Sequence, residues 1–212
     1  TLHNARNVVP FARTQTLEKC QLRLGLLANL STEKGLDAAI ATSLAAVEAG
    51  LNVKLILAGP LADPLARSTV TRICRETDKF EYRGPVYEHA KRAFFEDLDV
   101  FLFPTRYAHE AQPLVILEAM AAGVPVIATD RGYIAELMRG CGAVIPANAD
   151  FPLLAVALLK TWIADRDTLH EAGKRSRARF DQLIQISEQQ FLTLFETLSV
   201  DHADDGGKIE QA

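Results

Sequence analysis

In the stretch HEAQPLVILEAMAAGVPVIATD, His109 to Asp130, every residue between Pro113 and Gly123 is apolar except Glu118. On a helix, its neighbours three and four residues away are Leu114, Val115, Ala121 and Ala122, none of them polar. An ionised carboxylate on such a face is costly unless something donates hydrogen bonds to it. Three readings follow. The residue lies at a cleft and meets a ligand, its face is solvated, or it is buried against backbone donors or an arginine. Glu110 stands eight residues earlier, and Ala111, Gln112 and Pro113 lead into the helix. That segment presents free backbone amides at a helix N-terminus, a natural seat for phosphate oxygens, although Pro113 lacks a donor. Glu118 then lies roughly 7 Å further along the axis, at 1.5 Å per residue. A diphosphate at the helix end places an attached ribose near that depth, where a carboxylate can accept from two vicinal hydroxyls. The simpler reading of Glu110 is a capping or first-turn acid that favours the helix dipole.

A second motif is STEKG, Ser31 to Gly35. Ser31 or Thr32 is placed to cap a following helix. Lys34 then falls in its first turn, where a cation opposes the macrodipole unless an anion sits nearby. By itself, a solvated lysine paired with Glu33 or Asp37 is the simpler reading. Gly35 permits close approach of backbone to a ligand. Other candidates fail on context. GCGAV (Gly140 to Val144) lacks the third glycine of a dinucleotide fingerprint and precedes a strand instead of opening a helix. GGK at Gly206 to Lys208 is not a P-loop, and there is no GxSxG or HExxH. Cys20, Cys74 and Cys141 are few and widely spaced, with no CxxC. No metal site is expected, and a reducing, cytoplasmic compartment fits the cysteine usage.

The elements that must hold these residues alternate along the chain. Apolar runs predict strands at Leu22–Ala28, Leu51–Gly59, Phe80–Gly84, Asp99–Pro104, Val124–Asp130 and Gly142–Ala147. Helical spacing predicts helices at Lys34–Gly50, Pro64–Arg75, Tyr87–Leu98, Leu114–Ala122, Gly132–Met138 and Pro152–Asp165. Ile184, Ser187, Phe191, Phe195 and Leu198 mark one face of a last helix. Uniformly apolar strands alternating with helices imply a doubly wound, Rossmann-like α/β fold with a parallel sheet of about six strands. Ligands in such sheets bind beyond the carboxyl ends of the strands, where the strand order reverses. Residues 22–180 form the expected domain. Residues 1–21 read as a linker or arm, and residues 181–212 as a C-terminal helix with an acidic tail.

Composition narrows the function classes. With 23 basic and 27 acidic residues the net charge is −4, which argues against nucleic-acid binding by the whole chain. No apolar run approaches the roughly 18 residues of a membrane span. The opening residues lack the apolar core of a signal peptide. The chain starts at Thr1 without an initiator Met, as expected of a piece of something longer.

The set STEKG, YRGPV, DVFLFPT, the E-x7-E of Glu110 and Glu118, LEAMAAGVPVIATD and GYIAEL resembles the C-terminal half of retaining GT-B glycosyltransferases of the group 1 or family 4 kind. The resemblance runs in order from about Leu22 to Ala147. It implies that Lys34 contacts the diphosphate of a nucleotide-sugar donor (UDP-, GDP- or ADP-sugar) and that Glu118 binds the ribose. It places Glu110 near the transferred sugar, with Lys34 as its catalytic companion. Backbone at Ala111, Gln112, Pro113 and Leu114 would approach the phosphates and sugar. The loop at Gly84, Pro85 and Val86 would flank the base. It implies retention of configuration, no tightly bound cofactor or metal, and an N-terminal acceptor-binding domain as partner. It also implies a cytoplasmic site of action, at most peripheral to the inner membrane through that domain, in bacterial polysaccharide or glycolipid synthesis. Two departures stand out. Asn29 occupies the position of the family's usual phosphate-binding arginine, for which Arg106 is a possible substitute. The acceptor half is missing, so the last helix would lack part of its packing surface. The competing readings are an epimerase or phosphorylase on the same fold, and a degenerate domain serving as a binding or assembly module.

Overall fold

The computed structural model describes residues 4–10 and 21–204. Six strands form one sheet: β1 (Leu22–Leu27), β2 (Val53–Ala58), β3 (Phe80–Tyr82), β4 (Val100–Phe103), β5 (Val126–Thr129) and β6 (Ala143–Ile145). All pairings are parallel, in the order β3-β2-β1-β4-β5-β6. The order reverses between β1 and β4, so the carboxyl ends of those two strands flank the crevice where ligands of such sheets bind. The loop after β1 carries STEKG, and the loop after β4 carries Glu110.

Both faces of the sheet are covered, which explains the continuous apolar strands. Alternate residues of β4 show the split. Val100 and Leu102 join one core with α1 (Leu36–Glu48), α2 (Pro64–Glu76) and α6 (Phe151–Ala164). Phe101 and Phe103 join the other with α3 (Glu88–Glu96), α4 (Leu114–Ala121) and α5 (Ile134–Leu137). Phe95 packs edge-on to both Phe94 and Phe101, with ring centroids 5.3 and 5.4 Å apart. The helix starts follow local chemistry. The Asp63 carboxylate accepts from the Ala66 amide at 2.7 Å and caps α2, and Asp150 accepts from the Leu153 amide at 2.9 Å and caps α6.

Three sequence expectations change. Lys34 does not lie in a helical turn, because α1 starts at Leu36 after Gly35 in a left-handed conformation with φ of 83°. A Cβ at Gly35 would stand 2.2 Å from the Pro104 carbonyl oxygen, so the turn after β1 touches the end of β4 directly. Ser31 shapes that turn rather than capping the helix: its hydroxyl accepts from the Lys34 amide at 3.2 Å. The final helix α7 (Arg166–Asp204) is one unbroken 39-residue element. It begins well before the face marked by Ile184, passes through position 181 without a break, and takes in residues 201–204 of the acidic tail that spans 201–212. The rest of that tail lies outside the described residues.

Residues Asn4–Asn7 form a single 3₁₀ turn. Ala5 and Val8 are buried in the second core, among residues of α4 and α7. The segment is thus part of the packed body, while residues 11–20 of the expected linker lie outside the described residues. Toward the end of α7, Phe191, Leu192, Leu194 and Phe195 are exposed. No described helix is long and apolar enough to cross a membrane.

Candidate functional site

The structure brings Lys34 and Glu110 together across the switch point. Lys34 Nζ lies 2.5 Å from Glu110 Oε1, and the Thr105 hydroxyl donates to the same oxygen at 3.2 Å. Glu110 is buried, so its charge needs these partners. It is not a first-turn acid, since α4 begins four residues later. Lys34 also stands over the Tyr107 ring, 4.0 Å from its centroid. The pairing of Lys34 with Glu33 or Asp37 is therefore replaced by a contact spanning 76 residues. Gly132, from the loop after β5, abuts the backbone of Glu110. A Cβ there would stand 1.5 Å from the Glu110 carbonyl oxygen.

From Glu110 the chain runs through Ala111 and Gln112 to Pro113, which occupies the N-cap of α4 with no side-chain capping bond. The first amides of a helix lack intrahelical acceptors, and this helix start follows Glu110 by four residues. Ala111 and Leu114 are exposed, Gln112 half-buried and Pro113 buried. The early segment is clamped to this corner: the Asn4 amide donates to Gln112 Oε1 at 2.8 Å.

Glu118 lies one turn deeper on α4, with its side chain 16% exposed. Lys91 Nζ on α3 donates to Glu118 Oε1 at 2.9 Å. Glu118 Oε2 is buried and has no hydrogen-bond partner among the described residues. Burial pushes the Glu118 carboxyl above the ordinary carboxylate range, and Lys91 pulls against that shift. The carboxylate lines a cleft of about 470 Å³, walled by Val8 and Val9 on one side and by Glu88, Lys91 and Phe95 of α3 on the other. Glu88 is the one described non-glycine residue with positive φ, 43°; such strain persists where surrounding structure enforces it. The structure combines the first and third readings for Glu118: it lines a cleft, and an internal cation, Lys91 in place of an arginine, satisfies one of its oxygens. The side chain is at a cleft, half satisfied.

The other candidates scatter around this arrangement. Asn29 is exposed in the loop after β1. Val86 is half-buried and packs on the second core beside α3. Arg106 is engaged by Asp37 at 2.8 Å, with both side chains about half exposed. Sequence reasoning missed Lys91, Thr105, Tyr107 and the wall formed by Val8 and Val9. Lys91 had a faint signal: three and four residues before Phe94 and Phe95, it sits on the rim of the buried face of α3. The others are near only through tertiary packing.

A six-stranded parallel sheet in this order, covered on both faces, defines a Rossmann-like α/β domain with the Lys34–Glu110 pair at its switch point. The model of the glycosyl transferases group 1 family matches residues 21–162. The putative colanic acid biosynthesis glycosyltransferase WcaL of Salmonella typhimurium is 31% identical over 182 residues, which cover 81% of this chain and 44% of that protein. HepE of Anabaena, in a crystal structure with UDP and glucose, superposes with a TM-score of 0.65 at 22% identity, covering 84% of this chain and 49% of that one. The C-terminal domain of the group 1 glycosyl transferase LpcC from Francisella tularensis gives a TM-score of 0.65 at 15% identity, over 76% of this chain and 85% of that one. The chain belongs to the group 1 glycosyltransferases and has the fold of their C-terminal domain. It spans less than half the length of the WcaL relative.

Proposed function

We propose that this chain is the donor-binding half of a retaining glycosyltransferase, holding a nucleotide-diphosphate sugar for transfer to an acceptor in bacterial polysaccharide or glycolipid synthesis. The observation that carries the reading is the half-satisfied Glu118 carboxylate at the cleft. Its Oε2 is a buried acceptor without a donor, and a ribose diol supplies donors. The α4 amides and Lys34 then receive the diphosphate, a charge that competes with Glu110 for the lysine. Lys34 and the amides stabilise the negative charge on the departing diphosphate, and Glu110, released from Lys34, orients the sugar hydroxyls. HepE, with the same fold, was crystallised with UDP and glucose, which supports this class of donor. The acceptor is held by a further domain, so the chain alone binds donor without transferring sugar.

Calorimetric titration with UDP, GDP and ADP, alone and as sugar conjugates, tests this. One nucleotide series is expected to bind, and no heat from any of them ends the donor-site reading. The pH dependence has a fixed sign. The diol donates hydrogen bonds, so it favours ionised Glu118 and binding expels the proton that burial helps the free protein retain. Affinity is therefore expected to fall as pH is lowered through the raised Glu118 pKa. The Glu118→Ala variant, carrying only the ligand's own phosphate titration, should show a flatter profile. Parallel profiles would contradict the assignment.

A further inference from the structure

A crevice of about 340 Å³ opens beyond the carboxyl ends of β4, β5 and β6, lined by Asp37, Arg106, Thr129, Arg131 and Asp150 among others. Both carboxylates in it are already engaged. Asp37 accepts from Arg106 at 2.8 Å, and Asp150 accepts from the Leu153 amide as the cap of α6. Arg131 differs. Its Nε is buried without a hydrogen-bond partner, and its guanidinium takes part in no hydrogen bond or ion pair among the described residues. A buried Nε–H donor without an acceptor is costly to maintain. Its forked donors match the two oxygens of a carboxylate or phosphate.

The crevice adjoins the Lys34–Glu110 pair. The residue after Arg131 is Gly132, whose backbone abuts the Glu110 carbonyl. Pro104 and Arg106 of the crevice flank Thr105, which donates to Glu110. We infer that this crevice is an oxyanion subsite in which Arg131 receives a carboxylate or phosphate carried by the sugar being transferred or by the acceptor. Its location beside a sugar rests on the donor-site reading above; the capture of an oxyanion by Arg131 does not.

The test is an amide-resolved NMR titration of the chain with methyl phosphate and with acetate, followed by calorimetry with UDP-glucuronate and UDP-glucose. At least one small anion is expected to shift the amides of residues 129–132. Arg131→Ala should weaken that response at least fivefold while leaving the affinity for UDP unchanged. Arg131→Lys, which keeps the charge and loses the fork, should recover only part of it. If UDP-glucuronate binds at least fivefold tighter than UDP-glucose, and Arg131→Ala removes the advantage, the oxyanion belongs to the transferred sugar. If the two donors bind alike while methyl phosphate or acetate still fills the crevice beside bound UDP, it belongs to the acceptor. A wild-type chain whose 129–132 amides ignore both anions overturns the subsite, as does an equal response in folded Arg131→Ala. A chain that binds UDP without any anion response keeps the donor site and loses the subsite; uptake of the anion without nucleotide binding does the reverse.

Discussion

Glu118→Ala is expected to weaken nucleotide binding by about 2–4 kcal/mol, roughly 30- to 1,000-fold, since it removes two hydrogen bonds to a charged acceptor worth about 1.5–3 kcal/mol each, less solvent competition. Glu118 is poised for this loss because Lys91 satisfies Oε1 and nothing among the described residues satisfies Oε2. Truncation also leaves Lys91 without its carboxylate, but that ammonium is about one-third exposed and water can replace the partner. The fold should therefore survive while affinity falls. Calorimetry on both forms, with thermal unfolding as the control for folding, measures the effect. A Glu118→Ala chain that is folded and binds like wild type removes the residue from the site.

Gly132→Ala is expected to destabilise the domain by about 3 kcal/mol or more. Two costs combine. An alanine at the observed φ of 53° costs about 1–2 kcal/mol in the left-handed region. Its Cβ would also stand 1.5 Å from the Glu110 carbonyl oxygen, a backbone atom that no rotamer change can move. For a domain of this size the loss corresponds to a fall in Tm of roughly 6–12 °C, at about 2–4 °C per kcal/mol. Gly140→Ala is the control. Its φ of 79° carries the same conformational cost, but its Cβ meets nothing within 4 Å, so only about 1–2 kcal/mol should be lost. Because relief of the clash requires the loops after β4 and β5 to separate, Gly132→Ala should also disturb the Glu110–Lys34 pair and weaken donor binding. Equal unfolding temperatures for the two variants would show that the loops after β4 and β5 do not meet as described.

Most of the fold was legible because buried parallel strands are written as apolar runs, and Leu22–Leu27 and Val53–Ala58 are clear cases. The first half of α7 was not. Its buried positions Leu169, Ala172, Gly173, Ser176, Phe180 and Leu183 keep helical spacing, but three of them are small or hydroxyl-bearing. Close approach explains part of this: a Cβ at Gly173 would lie 2.6 Å from the Gly123 carbonyl oxygen. A stripe chosen for contact distance does not read as apolar. In the site, Glu118 announced itself through contrast with its neighbours, and Glu110 and Lys34 through spacing and resemblance. That the last two pair with each other could not be read, because it depends on the strand order bringing β1 beside β4. Arg131 stands between two of the motifs, LEAMAAGVPVIATD and GYIAEL, but a single arginine in a loop carries no signal until its lack of partners is seen.

The central claim is that the Glu118 carboxylate receives the vicinal hydroxyls of a ribose. The most direct measurement compares the best-binding nucleoside diphosphate with its 2′,3′-dideoxy analogue, each titrated into the wild-type chain and into Glu118→Ala. Removing the hydroxyls should cost the wild type about as much as removing the carboxylate, and making both changes should cost little more than either alone. A dideoxy analogue that binds wild type as tightly as its parent, or losses that simply add, would contradict the claim.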